Sequence, residues 1–361
     1  MINKTTGTSV LRTKPHFDIL DGLRGIAALA VVIFHFMEWI FSDYSQNFIG
    51  HGFLAVDFFF CLSGFVMGYA YDNRMQQLGL KNFFVVRLIR LQPLVIIGSA
   101  LGLIGFLLDP FSTAYLDYSA GKILLLFIAS IMLIPMPSMP DRAFNLFGLN
   151  APSWSLFWEY IANIIYAFFL CRIKRNVLII ITIIAGILLS YVSYRSGNLL
   201  GGWSGGTFWD GGARLAYSFS AGLLICRSNW IIKNNIGFIG LTVLLSLAFL
   251  MPGTSFNWLT ELLVVLFYFP LIVSLGAGSA LNPKMKSICI FSGNISYPLY
   301  MTHYAALWIF GNYYTTFKPP MEKLPYIIIP GVIFLVVFAW LVMKFYDMPV
   351  RKYLKKKVAG S

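Results

Sequence analysis

Residues 17–36 read FDILDGLRGIAALAVVIFHF. The run is as long as a helix needs to cross a bilayer core, which takes roughly 20 mostly apolar residues. It nevertheless carries Asp21, Arg24 and His35. A charged side chain at bilayer depth costs a few kcal/mol on insertion scales and marks a functional site by default. On a helix of about 3.6 residues per turn, the step from Arg24 to His35 falls roughly 20° from three whole turns. Asp21 lies one turn before Arg24, so all three project from one face, with about 16 Å of axial rise between Arg24 and His35. A polar stripe running through the membrane predicts the wall of a cavity. The plainer reading is a snorkelling Arg24 and a His35 that only pairs helices by a hydrogen bond.

The rest of the chain has the same character. Of 361 residues, 58% are hydrophobic, 17% aromatic and only 11% charged, against about 25% charged in soluble domains. Eleven apolar segments recur, at 17–41, 52–71, 91–108, 121–136, 153–171, 177–194, 210–226, 235–251, 257–278, 293–311 and 325–346. They predict an all-α, polytopic integral membrane protein, with one membrane domain filling 1–361 and its core at about 17–346. No internal repeat or linker divides it. The first run is too long and too polar-studded for a cleaved leader, so it is read as a retained span. The net charge of +13 falls in short loops and follows the positive-inside bias, so no nucleic-acid partner is implied. Cys61, Cys171, Cys226 and Cys289 stand singly, which argues against a disulfide framework or a zinc site.

Loop charges orient the chain. Arg12 and Lys14, Arg74 to Arg90, Arg172 to Arg175, Arg227 and Lys233, Lys284 and Lys286, and the Arg351 to Lys357 tail share one side. The loops near 42–51, 196–209 and 252–257 are almost free of Lys and Arg. Both termini are therefore expected in the cytoplasm. That demands an even number of crossings: about ten transmembrane helices, plus one short or re-entrant segment at either 91–108 or 121–136. In this frame Asp21 and Arg24 lie near the inner surface, and His35 lies in the outer half.

Four more stretches carry ionisable or hydroxyl groups in apolar runs: HGFLAVDFFFCLSGF at 51–65, FFVVRLIRLQPL at 83–94, PSWSLFWEY at 152–160 and GNISYPLYMTHY at 293–304. They place Arg87 and Arg90 at the inner edge with Arg24, a group suited to phosphate. Glu159 is placed in the outer half with His35, a pair suited to acid–base work. For Glu159, pairing with Arg214 or His303 is the structural alternative; for Asp57, pairing with Arg24 or capping an irregular turn. His51 is expected at the outer interface and His16 in solution. Trp154, Trp203 and Trp209 read as sugar-stacking rings or as interfacial anchors.

Taken in order, the five stretches resemble the membrane-bound acyltransferase-3 family, which O-acylates bacterial surface glycans and some small molecules. Arg24 and His35 carry its arginine, ten residues, histidine spacing. GFLAVDFFFCLSGF at 52–65 matches its Gly-Val-Asp-x-Phe-Phe-x-x-Ser-Gly-Phe pattern, with Ala55 in place of glycine. Arg87 and Arg90 match Arg-x-x-Arg, and WSLFWEY at 154–160 matches Trp-Ser-Leu-x-x-Glu. GNISYPLYMTH at 293–303 matches the Ser-Tyr-x-x-Tyr-x-x-His element, and the likeness runs on to YDMPVRKYL at 346–354.

The resemblance implies an O-acyltransferase that takes acetyl, or a short acyl group, from cytosolic acetyl-CoA or another acyl-CoA. The acceptor it implies is a hydroxyl of a lipid-linked or exported polysaccharide. Under it His35 is the general base or acyl carrier and Glu159 its catalytic partner, while Arg24, Arg87 and Arg90 bind the coenzyme. Asp21, Asp57, Ser63, Trp154, Ser296, Tyr297 and His303 line the cavity, and no metal is needed. A partner transferase or glycan export machinery fits the same reading. The competing class is a transporter of acyl groups or small anions, which an ionisable stripe and a broken helix also suit.

Overall fold

The computed structural model describes residues 16–359, and every regular element among them is helical. Helix α1 (Asp18–Ile40) is the axis of the bundle, with Leu23, Ala27, Ala28 and Val32 wholly enclosed. It packs most extensively on α11 (Lys286–Thr302) and also touches α2 (Ala55–Tyr71), α8 (Gly237–Phe249) and α12 (Tyr304–Phe317). A second close pair joins α2 to α7 (Phe208–Ser228). Glycine makes both contacts. A Cβ on Gly25 would lie 2.0 Å from the Ser292 hydroxyl of α11, and one on Gly222 would lie 1.8 Å from the Cys61 carbonyl of α2. With no water to drive helices together in lipid, such backbone approach is what holds them.

The two segments left open, 91–108 and 121–136, differ in length. Helix α3 (Met75–Leu107) has 33 residues, with a break at Gly79, whereas α4 (Ala120–Ile131) has only 12. At about 1.5 Å per residue, α4 spans roughly 18 Å, well short of a bilayer core of about 30 Å. An irregular stretch then runs from Met132 to α5 (Ser153–Phe168). The chain continues through α6 (Arg175–Ser196), α9 (Asn257–Leu263) and α10 (Phe269–Gly278), and ends with α13 (Pro325–Val342) and α14 (Met348–Ala359).

Seven helical stretches among the described residues are long and apolar enough to cross a membrane: those at α1, α2, α3, α5, α6, α9–α10 and α13–α14. Besides α4, two helices and one split segment fall outside that measure for separate reasons. α7 carries Asp210 and Arg214, α8 has 13 residues, and the segment expected at 293–311 is split at His303 into α11 and α12.

Two wide turns join helices end to end, at Val264–Tyr268 and Met343–Asp347. Each precedes a proline, Pro270 or Pro349, which lacks an N–H and whose ring clashes with the carbonyl four residues back. The backbone widens there rather than breaking. The Tyr217 hydroxyl donates to the Leu266 carbonyl at 2.6 Å, restoring the bond that Pro270 removes.

Candidate functional site

The α1 stripe is anchored at its Arg24 end by α11. Arg24 donates from Nε to the Ser296 hydroxyl and from Nη2 to the Gly293 carbonyl, both at 2.9 Å, and its Nη2 lies 3.2 Å from Asp21. Asp21 also meets His16, which is exposed, at 3.3 Å. Arg24, Asp21 and Ser296 are thus one cluster, and both charged side chains stay about a quarter exposed. That residual access fits a wall open to water better than a closed helix contact.

At the other end, the His35 Nδ1 lies 2.6 Å from an oxygen of Glu38, one turn further along α1. Glu38 was not foreseen, although the i, i+3 spacing puts both side chains on one helix face. The carboxylate accepts the Nδ1 proton and fixes the tautomer, which leaves the lone pair on Nε2. His303 stacks on this ring, with centroids 5.5 Å apart and planes inclined by 25°. It sits at the break between α11 and α12, fully enclosed, with Nδ1 3.0 Å from the Leu299 carbonyl. Its Nε2 has no hydrogen-bond partner. Tyr304, the next residue, lies within electrostatic reach of both Glu38 and Arg142. Arg142 comes from the irregular stretch after α4 and lies 3.7 Å over the Trp308 ring. It too was missed; being the only arginine in residues 132–152 was the available signal.

Arg87 and Glu159, expected at the inner edge and in the outer half respectively, meet at 2.6 Å and so share one depth. The structure therefore pairs Glu159 with Arg87, not with Arg214, His303 or His35. The Ser63 hydroxyl reaches the same carboxylate at 3.4 Å. Arg87 is buried, while its neighbour Arg90 is exposed and lies within electrostatic reach of Arg24, Arg87, Glu159 and Arg351. The Tyr297 hydroxyl donates to the Leu91 carbonyl at 2.7 Å, beside Pro93. Tyr160 donates to Gln92 at 3.1 Å. The two arginines expected to act together thus face different surroundings.

Asp57 belongs to a separate group. It receives three hydrogen bonds from Arg214, at 2.6, 3.1 and 3.2 Å, where the sequence left open a pair with Arg24 or the capping of an irregular turn. Arg214 also donates to the Gly201 and Phe53 carbonyls and lies 5.2 Å from the centre of the Trp154 ring. Trp154 is buried and stacks under an arginine of its own chain. His51, expected at an interface, is 2% exposed and bridges Glu261 at 3.3 Å and the Met251 carbonyl at 3.0 Å.

Comparisons with known proteins identify the family. The family described as an acyltransferase domain matches residues 17–344. A Rhizobium radiobacter protein named as protein 2 in the picA locus is 31% identical over 175 residues, which is 45% of this chain and 88% of that protein. Staphylococcus aureus proteins of strains COL and MSSA476, provisionally named as O-acetyltransferases, are 34% identical over 99 residues. That segment is 27% of this chain, and the chain spans only 15% of their length. No solved structure gives a significant match. With the match running through all the described helices from α1 to α13, this chain belongs to the acyltransferase-3 family.

Proposed function

We propose that the protein is a membrane O-acyltransferase that moves an acetyl or short acyl group from cytosolic acyl-CoA to a hydroxyl of a lipid-linked or exported glycan. The observation that carries the reading is the His35–Glu38 pair at 2.6 Å, on the same helix face as Arg24 and about 16 Å away along the axis. One end of the stripe is basic and suits an anionic coenzyme. The other end offers an oriented imidazole.

Two balanced routes use the same atom. As general base, His35 Nε2 takes the proton of the acceptor hydroxyl while its oxygen attacks the thioester carbonyl. The carbon–sulfur bond breaks, and the imidazolium returns the proton to the leaving thiolate. As acyl carrier, Nε2 attacks the carbonyl itself and expels the thiolate; the hydroxyl oxygen then attacks the acyl carbon, the carbon–nitrogen bond breaks to free the neutral ring, and the hydroxyl proton goes to the thiolate. In both, Glu38 stabilises the imidazolium. A transporter could use the same pair as a proton relay; release of thiol from acyl-CoA is what separates the two readings.

The proposed topology adds α7, α8 and α11–α12 to the seven apolar stretches, giving ten crossings with both termini in the cytoplasm. Helix α8 is scarcely longer than α4, but the basic loop before it and the uncharged loop after it require it to cross, whereas α4 begins and ends outside. Irregular backbone after α4 is tolerated at depth because protein covers it: Met139, Leu146 and Phe147 are buried. A cell lacking the gene should lose O-acyl groups from its surface glycan, and the wild-type gene should restore them. Unchanged acylation by mass spectrometry would remove the glycan as acceptor.

A further inference from the structure

We propose that α14 forms the binding site for the phosphate-bearing end of the coenzyme, with Lys352 and Lys355 on the phosphates and Arg351 held between them. The inference rests on the acyl-CoA reading above and assigns its anionic end to residues outside the Arg87–Arg90 pair.

A cavity of about 350 Å³ lies between α11 and the start of α14, at the small end of the range for ligand sites. Asn294 of α11 lines it on one side, and Asp347, Arg351, Lys352 and Lys355 line it on the other. Positions 347, 351 and 355 recur every four residues, so on a helix they share one face. Arg351 is anchored by a 2.8 Å bond to Asp347. Lys352 and Lys355 are exposed and make no ion pair among the described residues. Helix α14 packs against α3, and Arg90 of α3 lies within electrostatic reach of both Arg351 and Lys355.

Three cations therefore line one cavity with a single carboxylate, and a fourth, Arg90, acts on two of them from α3. Like charges this close repel unless an anion neutralises them, and a phosphate monoester with a neighbouring pyrophosphate supplies that charge. Ammonium groups on flexible stems bind phosphate as point charges, which suits Lys352 and Lys355. Asp347 adds a second indication. Its Oδ1 is buried without a donor, and a buried acceptor of this kind is costly. An adenine amino group or a ribose hydroxyl would satisfy it. Met343 and Met348 in the same wall offer the polarisable surface that aromatic rings favour. Arg90 lies within electrostatic reach of Arg24 as well as of Arg351, so the basic end of the stripe and this cavity share one field. The coenzyme's slender arm would run from α14 past Arg24 towards His35.

The test is calorimetric binding of coenzyme A and of 3′-dephospho-coenzyme A to purified protein in nanodiscs of uncharged phosphatidylcholine. Wild type should prefer coenzyme A. Lys352→Gln with Lys355→Gln should weaken coenzyme A binding roughly 10–100-fold, the scale of two charge-assisted contacts, and abolish the preference. Lys356→Gln with Lys357→Gln removes equal charge from the same helix outside the cavity and should leave both unchanged. Equal losses from the two double variants, or no loss from the first, would overturn the site. So would a first variant that loses only its response to phosphatidylglycerol in the nanodisc, since α14 would then be a lipid-headgroup anchor. Wild type that binds no coenzyme A would instead sink the acyl-CoA reading itself, and this site with it.

Discussion

His35→Ala should lower acyl transfer by about 10³-fold or more, the range for losing a positioned base, or further if the ring carries the acyl group. The protein should still fold, because His35 is on the wall and its side chain remains 27% exposed. Mass spectrometry of acylated acceptor reads the loss, and the melting temperature in detergent reads the fold. Glu38→Gln keeps the shape of the partner but removes its charge, so the imidazolium loses its counter-ion and the tautomer its lock. Its expected effect is about 10–100-fold, by analogy with partners that orient a histidine ligand. It should fall on turnover rather than on the Michaelis constant for the coenzyme. Wild-type turnover in His35→Ala would show that the chemistry takes place elsewhere, whatever the melting temperature.

The largest stability effect is expected far from that ring. Arg214 and Asp57 are 1% and 0% exposed, and removing one member of such a pair leaves the other charged and uncompensated. The typical cost is about 3–5 kcal/mol. Arg214→Ala strands Asp57 and frees the Gly201 and Phe53 carbonyls as well. A fall in melting temperature on the order of 10 °C follows for a chain of this size. Arg214→Met combined with Asp57→Leu should recover much of it, because replacing both charges by apolar groups of similar volume is often neutral. A single variant that melts with wild type would mean that this pair does not lock α2 to α7. The prediction separates Asp57 from the chemistry, although its motif places it among candidate cavity residues.

What could be read from the chain and what could not divide along physical lines. The shared face of Asp21, Arg24 and His35 follows from one helical period on one element, and the structure keeps all three on α1. The segment at 293–311 read as one unbroken apolar run, whereas the structure splits it at His303. Choosing the short segment needed the length of α3, which runs back through polar residues to Met75 and so escaped a search for apolar runs. Partner identity was harder still. Arg87 and Glu159 are 72 positions apart on different helices, and Arg214 and Asp57 are 157 apart. Only packing decides such pairs; the spacing of charges along the chain does not. Glu38 is the instructive omission, because its i, i+3 relation to His35 was legible all along. It was passed over in favour of a remote glutamate inside a stronger motif.

The central claim is that acyl-coenzyme A enters from the basic end of the α1 stripe and is consumed at His35. Sealed membrane vesicles of both orientations, given external acetyl-CoA and acceptor, test it through release of free thiol. Inside-out vesicles carrying the wild-type protein should release thiol, right-side-out vesicles should not, and His35→Ala should be silent in both. Equal release from the two orientations, or release that survives His35→Ala, would contradict the account.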